Sequence, residues 1–249
     1  MKNNKDFIKI ELGQTKLIAI LLSSLLFYIA AIILWKQNTI DNAIVIHFNY
    51  VYKNDIYFDL AKTVTQYGMS FITVFYSFIL YLSFRKQELE TIRALYFLII
   101  ISFFLSTLGG DLLKELIDKA RPVIALSGQV AIKQISATPA FPSGHAAKSM
   151  ALSLPFVIMA SRKNNLILAA KIILFITAFF VCFSRIALQA HFLSDVLAGI
   201  GTALFFIPFA ILLTNRFYNK LKMDDAKLNR LSKRFVFIFI VFAVILGFM

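Results

Sequence analysis

The feature that most constrains this chain is a series of uncharged or nearly uncharged apolar runs of membrane-crossing length, at 17–35, 63–84, 94–110, 146–160, 166–184 and 196–214. They do not alternate polar and apolar residues as an amphipathic soluble helix or strand would. A hydrocarbon core about 30 Å thick is crossed by about 20 helical residues. No water is available there, so the backbone must bond to itself and each run becomes a helix. The whole chain is 59% hydrophobic, above the roughly 45 to 50% of a soluble domain. No internal repeat, low-complexity tract or Pro/Gly-rich linker marks a boundary, so residues 1–249 read as one membrane-embedded domain with its core at 17–214. A seventh apolar run, 235–249, would rise only about 22 Å as a helix; it either spans with local thinning or lies at the interface.

The net charge of +13 suggests nucleic-acid binding only until the positions of the cations are considered. Most Lys and Arg residues sit in short clusters between the apolar runs, where membrane topology accounts for them. With the N-terminus cytoplasmic, sixteen basic residues fall on the inner side and eight on the outer. The connections 36–62, 114–145 and 185–195 therefore face outward. The basic start and first apolar run resemble a signal peptide but lack a small-residue cleavage site, so the run reads as a retained span. The basic segment 216–234 suits anionic lipid headgroups. Cys182, the single cysteine, lies in an apolar run and reads as a packed small hydrophobe.

Three segments stand apart from this background: Lys114 to Pro122, then Pro142-Ser143-Gly144-His145, then Ser184-Arg185 with His191 and Asp195. With consecutive helices antiparallel, all three arrive at one membrane face. Lys114, Arg121 and Arg185 are cations with few carboxylates to neutralise them, and the forked donors of arginine match phosphate oxygens. Ser143 and Gly144, at the start of an apolar helix, add a hydroxyl and backbone N–H groups to such a cradle. His191 and Asp195, four residues apart, would share a helical face, so that the carboxylate orients the imidazole as nucleophile or base. His145 supplies a second imidazole as general acid. Two histidines and a carboxylate also form a metal-ligand set, but three nearby cations would repel the metal.

These residues resemble the type 2 phosphatidic acid phosphatase family, also called the lipid phosphate phosphatase and vanadium haloperoxidase superfamily. Six residues separate Lys114 from Arg121-Pro122, Pro-Ser-Gly-His occupies 142–145, and Ser184-Arg185 precedes His191 and Asp195 at the family spacing. The resemblance implies an all-α integral membrane protein with a six-helix bundle. It implies an enzyme, a metal-independent phosphoric ester or pyrophosphate hydrolase with no cofactor. In that mechanism His191 attacks phosphorus to form a phosphohistidine, Asp195 holds its ring, and His145 protonates the departing lipid oxygen. Lys114, Arg121, Ser143, Gly144 and Arg185 hold the phosphoryl oxygens. Gln189 departs from the pattern, because many members carry glycine two residues before the nucleophile.

Substrates implied by the resemblance are lipid A phosphate, undecaprenyl pyrophosphate, phosphatidylglycerol phosphate and phosphatidic acid. The compact chain, without large insertions on the outer side, favours a bacterial envelope lipid, an inner-membrane location and a site on the periplasmic or extracellular face. Two rival readings are a phosphotransferase that passes the phosphoryl group to another lipid and a lipid-phosphate binding or transport protein without turnover. Simpler roles compete residue by residue. Arg185 would snorkel at a span end, and Lys114 would pair with Asp111 or Asp118. Lys148, one turn beyond His145 in an apolar segment, is either a headgroup contact or a snorkelling cation. The connection 123–141, long and partly apolar, is placed to cover a lipid entrance.

Overall fold

The structure is a computed structural model that describes residues 10–51, 55–85, 90–130, 138–160 and 165–218. The C-terminal run 235–249, nearly all of the basic segment and the middle of the 123–141 connection lie outside them. The described residues are helical with no strand: α1 (Gln14–Gln37), α2 (Thr39–Val51), α3 (Asp55–Arg85), α4 (Glu90–Ile117), the single turn α5 (Pro122–Ala125), α6 (Gly144–Met159), α7 (Asn165–Ala187) and α8 (Leu193–Tyr218). Four stretches are long and apolar enough to cross a membrane, Gln14–Gln37, Ala94–Ala125, Asn165–Ala187 and Leu193–Phe217. The other two expected spans coincide with α3 and α6; α6, with 16 residues, rises only about 24 Å.

Two boundaries differ from the sequence reading. The connection after α1 is not open loop but contains α2, a 13-residue helix with Asp41 in its first turn. Its mixture of polar and apolar residues conceals it from a search for uncharged runs. Helix α4 continues through the charged residues after Gly110 to Ile117, since past the hydrocarbon boundary a helix tolerates Asp111 and Lys114 on its watery flank. Asp118, with φ of 46°, ends it.

α8 forms the centre, packing against α1, α4 and α6, while α7 packs against α3 and α6. Its surroundings show in burial: Ala198, Thr202, Ala203, Ile207 and Ala210 are fully enclosed. Lipid provides no hydrophobic drive between helices, so close backbone approach and interhelical hydrogen bonds take over. A Cβ on Gly109 would lie 2.2 Å from the Phe206 ring, and one on Gly199 would lie 2.6 Å from the Ser143 carbonyl. Ser24 donates to the Gly201 carbonyl at 2.8 Å, and the Tyr28 and Thr202 hydroxyls meet at 2.8 Å. The outward surface carries Leu22, Leu26, Phe104, Leu108, Ile172 and Phe179, an exposed apolar belt that matches a lipid surround. Cys182 is buried, as expected of a packed hydrophobe.

Candidate active site

Every element that carries a motif residue ends or begins at one end of this bundle. Pro122 at the first position of α5 holds Arg121 extended, with φ −74° and ψ 157°, because a residue before proline is driven from helical geometry. Its guanidinium is thereby turned inward. Nε donates to the Thr138 carbonyl at 2.7 Å, one terminal nitrogen to the Thr138 hydroxyl at 2.8 Å, and the other to the Ala190 carbonyl at 3.0 Å. That last nitrogen lies 3.5 Å from His191 Nε2. Arg121 and His191, far apart in sequence, are therefore neighbours.

His191 does not share a helix with Asp195 as its spacing suggested. It sits in the turn between α7 and α8, where its N–H reaches back to the Arg185 carbonyl at 3.2 Å. Asp195 lies in the first turn of α8, and the Phe192 N–H donates to its Oδ2 at 2.9 Å. The two residues still face one another: His191 Nδ1 is 3.6 Å from Asp195 Oδ2. With Nδ1 facing the carboxylate, though not hydrogen-bonded to it, Nε2 points toward Arg121 and the cavity. Burial and the cations Arg185 and Arg121 oppose a proton on the ring, while Asp195 favours one; the balance lowers the His191 pKa to about 4.

A cavity of about 260 Å³ opens before that imidazole, lined by Lys114, Arg121, Val123, Thr138, Gly144, His145, Lys148, Arg185, Gln189, Ala190 and His191. Four of these are Lys or Arg and none is a carboxylate. Lys114 Nζ pairs with Asp111 at 3.2 Å, one of the simpler partners anticipated for it, yet it also reaches the cavity. A Cβ on Gly144 would lie 3.1 Å from that ammonium, so glycine leaves the room it occupies. Arg185, in the last turn of α7, approaches Thr65 of α3 at 3.5 Å. Thr65 in turn bonds to Ser184.

Ser143 caps α6 and lies just behind the cavity wall. Its N–H goes to the Asp195 carbonyl at 2.8 Å, so that N–H is not free for an anion. The Ser143 hydroxyl and Arg185 Nε are buried and have no hydrogen-bond partner among the described residues. Gln189 adopts φ of 56°, the left-handed region in which glycine is unstrained, which explains glycine as the commoner residue there. Its amide donates to the Val45 carbonyl at 3.1 Å, a bond glycine cannot make.

Three residues near the site were not singled out from sequence as functional. Thr138 fixes Arg121 through both its carbonyl and its hydroxyl. Lys119 and Asp41 meet behind Asp195. No sequence signal marked the latter pair, because Asp41 and Lys119 come together only through packing. Among the described residues, no group of three or more His, Cys, Asp and Glu is placed to hold a metal ion.

A helical membrane protein with a cationic cavity built around a carboxylate-facing imidazole presents a site suited to a phosphoryl group. The sequence profile of the PAP2 superfamily matches residues 92–219, just over half of the chain, and the protein belongs to that superfamily. Its fold is similar to the crystal structure described as the first transmembrane PAP2 type phosphatidylglycerolphosphate phosphatase from Bacillus subtilis. The TM-score is 0.57 at 22% identity, covering 84% of this chain and 98% of that one. No curated protein sequence matches the chain.

Proposed function

We propose that this protein is an integral-membrane lipid phosphatase that cleaves a phosphomonoester or pyrophosphate on a lipid headgroup through a phosphohistidine. The observation that carries the reading is the juxtaposition of His191 Nε2 with the Arg121 guanidinium at 3.5 Å, in a cavity with four cations and no carboxylate. An unprotonated buried imidazole is available as nucleophile without first losing a proton. Its Nε2 attacks phosphorus as the bond to the lipid oxygen breaks, and His145 gives that oxygen a proton. A water then adds to phosphorus, returns a proton to His145, and releases phosphate and free His191.

Arg121, Arg185 and Lys114 hold the oxygens on which charge builds, together with Gly144 at the α6 N-terminus and the Ser143 hydroxyl, the group of that residue left without a partner among the described residues. Burial first, and then the cations Arg185, Lys148 and Lys114, disfavour a proton on His145, and the incoming phosphoryl group brings the negative charge that offsets them. Lys148 lines the same cavity and is a headgroup contact. Charge supports a metal-free reaction, because four cations disfavour a divalent ion. The six apolar runs form the spanning bundle of a single domain, with a cytoplasmic N-terminus and the site on the outer face of a bacterial inner membrane. The substrate is one of the envelope phospholipids or lipid pyrophosphates named above.

Purified protein should release phosphate from at least one of a panel of labelled lipid phosphates, with full activity in chelator and inhibition by vanadate. His191→Ala should abolish release while the protein still elutes as the folded wild type. Wild-type rates in that variant would contradict the nucleophile. Chelator loss reversed by a divalent ion would restore the metal reading.

A further inference from the structure

Asp195 has no exposure, and the two sides of its carboxylate serve different partners. Oδ2 receives the Phe192 N–H and faces His191. Oδ1 lies 2.7 Å from the ammonium of Lys119, itself buried. That ammonium also donates to Ser194 Oγ at 2.7 Å and is enclosed by aromatic rings, with centroids at 5.2 Å for Trp35, 5.8 Å for Phe141 and 4.6 Å for Phe192. Behind it, Asp41 of α2 stands 3.8 Å away, accepts the Ser194 N–H at 3.0 Å and bonds to the Ser194 hydroxyl. Neither Lys119 nor Asp41 lines the cavity.

We propose that Lys119 and Asp41 are positioning residues that fix the Asp195 carboxylate and leave its negative charge available to His191. The inference rests on the reading of His191 as nucleophile. A lone ammonium at 2.7 Å would turn Asp195 into a closed ion pair with little attraction left for an imidazole. Two carboxylates sharing one ammonium keep a net charge of −1 in the buried cluster, and the positive charge that forms on His191 during phosphoryl transfer neutralises it. Geometry supports the same role. Lys119 and the Phe192 N–H hold the carboxylate at both oxygens, which fixes the edge shown to Nδ1, as outer partners fix other functional imidazoles. The surrounding rings give the buried ammonium a defined position.

The test measures phosphate release by Lys119→Met and Asp41→Asn, each in the wild-type and in the Asp195→Asn background. Each single variant should lower kcat roughly 10- to 100-fold, the usual range for such outer partners, with KM within about two-fold, since no phosphate contact is lost. Neither should lower the rate further once Asp195 is Asn, because residues that act through one group are not additive.

Asp41→Asn has a second signature. The charged and titratable groups around His191 are Asp195, Arg185 and Arg121, with His145, Lys114 and Lys148 across the cavity and Lys119 and Asp41 behind Asp195; removing one negative charge disfavours the imidazolium and should move the acid limb of kcat/KM to lower pH. A raised KM at unchanged kcat, an equal loss in the Asp195→Asn background, or an unmoved acid limb would each overturn the proposal. If Lys119→Met does not fold, Asp41→Asn decides by the same criteria. Absence of phosphate release from the wild type across the lipid panel would instead defeat the phosphatase reading.

Discussion

His191 is poised between opposing fields, and the sign of the balance makes a pH prediction. Burial with Arg185 and Arg121 lowers its pKa to about 4, against the pull of Asp195. In the proposed mechanism the nucleophile is the neutral ring, so kcat/KM should fall as pH drops through about 4, where protonation removes it. Asp195→Asn withdraws the carboxylate nearest the ring, which favours the imidazolium, and should shift that limb to lower pH as well as depressing the plateau. An acid limb near the ordinary histidine value of about 6.5, unchanged in Asp195→Asn, would contradict this placement of charge. The same shift acts on stability: the unfolded chain binds the proton first, so stability should decline as pH falls from about 6.5 toward 4. The chemical residues were legible because lysine, arginine and histidine are conspicuous between apolar runs. Lys119 was not, since its role depends on Asp41 and Asp195, distant residues that only packing brings together.

Helix ends, more than helix interiors, build the site, and one glycine sets how closely two of them meet. The N-terminus of α6 presses against α8 at Gly199, where a Cβ would lie 2.6 Å from the Ser143 carbonyl and 2.9 Å from Ala146 Cβ. The neighbouring bond from the Ser143 N–H to the Asp195 carbonyl, at 2.8 Å, ties the start of α6 to the backbone of the residue whose carboxylate faces His191. Gly199→Ala should therefore cost about 1 to 3 kcal/mol, typical of overpacking, and lower kcat with it. Gly13→Ala, where nothing lies within 4 Å of the added carbon, should leave both unchanged. Thermal unfolding in detergent and phosphate release read the two effects; equal behaviour of the variants would remove Gly199 from the site. Apolar runs announced α1, α7 and α8 to within a few residues. They could not announce α2, whose Asn, His and Asp residues read as connection until Asp41 and Gln189 are seen to anchor it, through Ser194 and Val45.

Across the whole molecule, the two ends of α8 fix the relative sides of everything else. Asp195 marks the site end, where Trp35 at the close of α1 stacks on Phe141 with centroids 5.5 Å apart. At the opposite end Asn215 exchanges hydrogen bonds with the Ile10 backbone, at 2.8 and 3.0 Å. The N-terminal segment and the close of α8 thus share one surface, and the cationic cavity opens toward the other, the arrangement that basic-residue counting requires. The proposed orientation puts the surface with the excess of Lys and Arg, beside the N-terminus and after α8, on the cytoplasmic side. Single cysteines test it in a Cys182→Ala background, with Thr15→Cys beside the start of α1 and Ser127→Cys beyond α5, both exposed positions. A membrane-impermeant maleimide should label Ser127→Cys in intact cells and Thr15→Cys only after the membrane is opened. The reverse pattern would turn the protein over and direct the phosphatase to lipids of the inner leaflet, while labelling of both in intact cells would break the shared-surface geometry of α1 and α8.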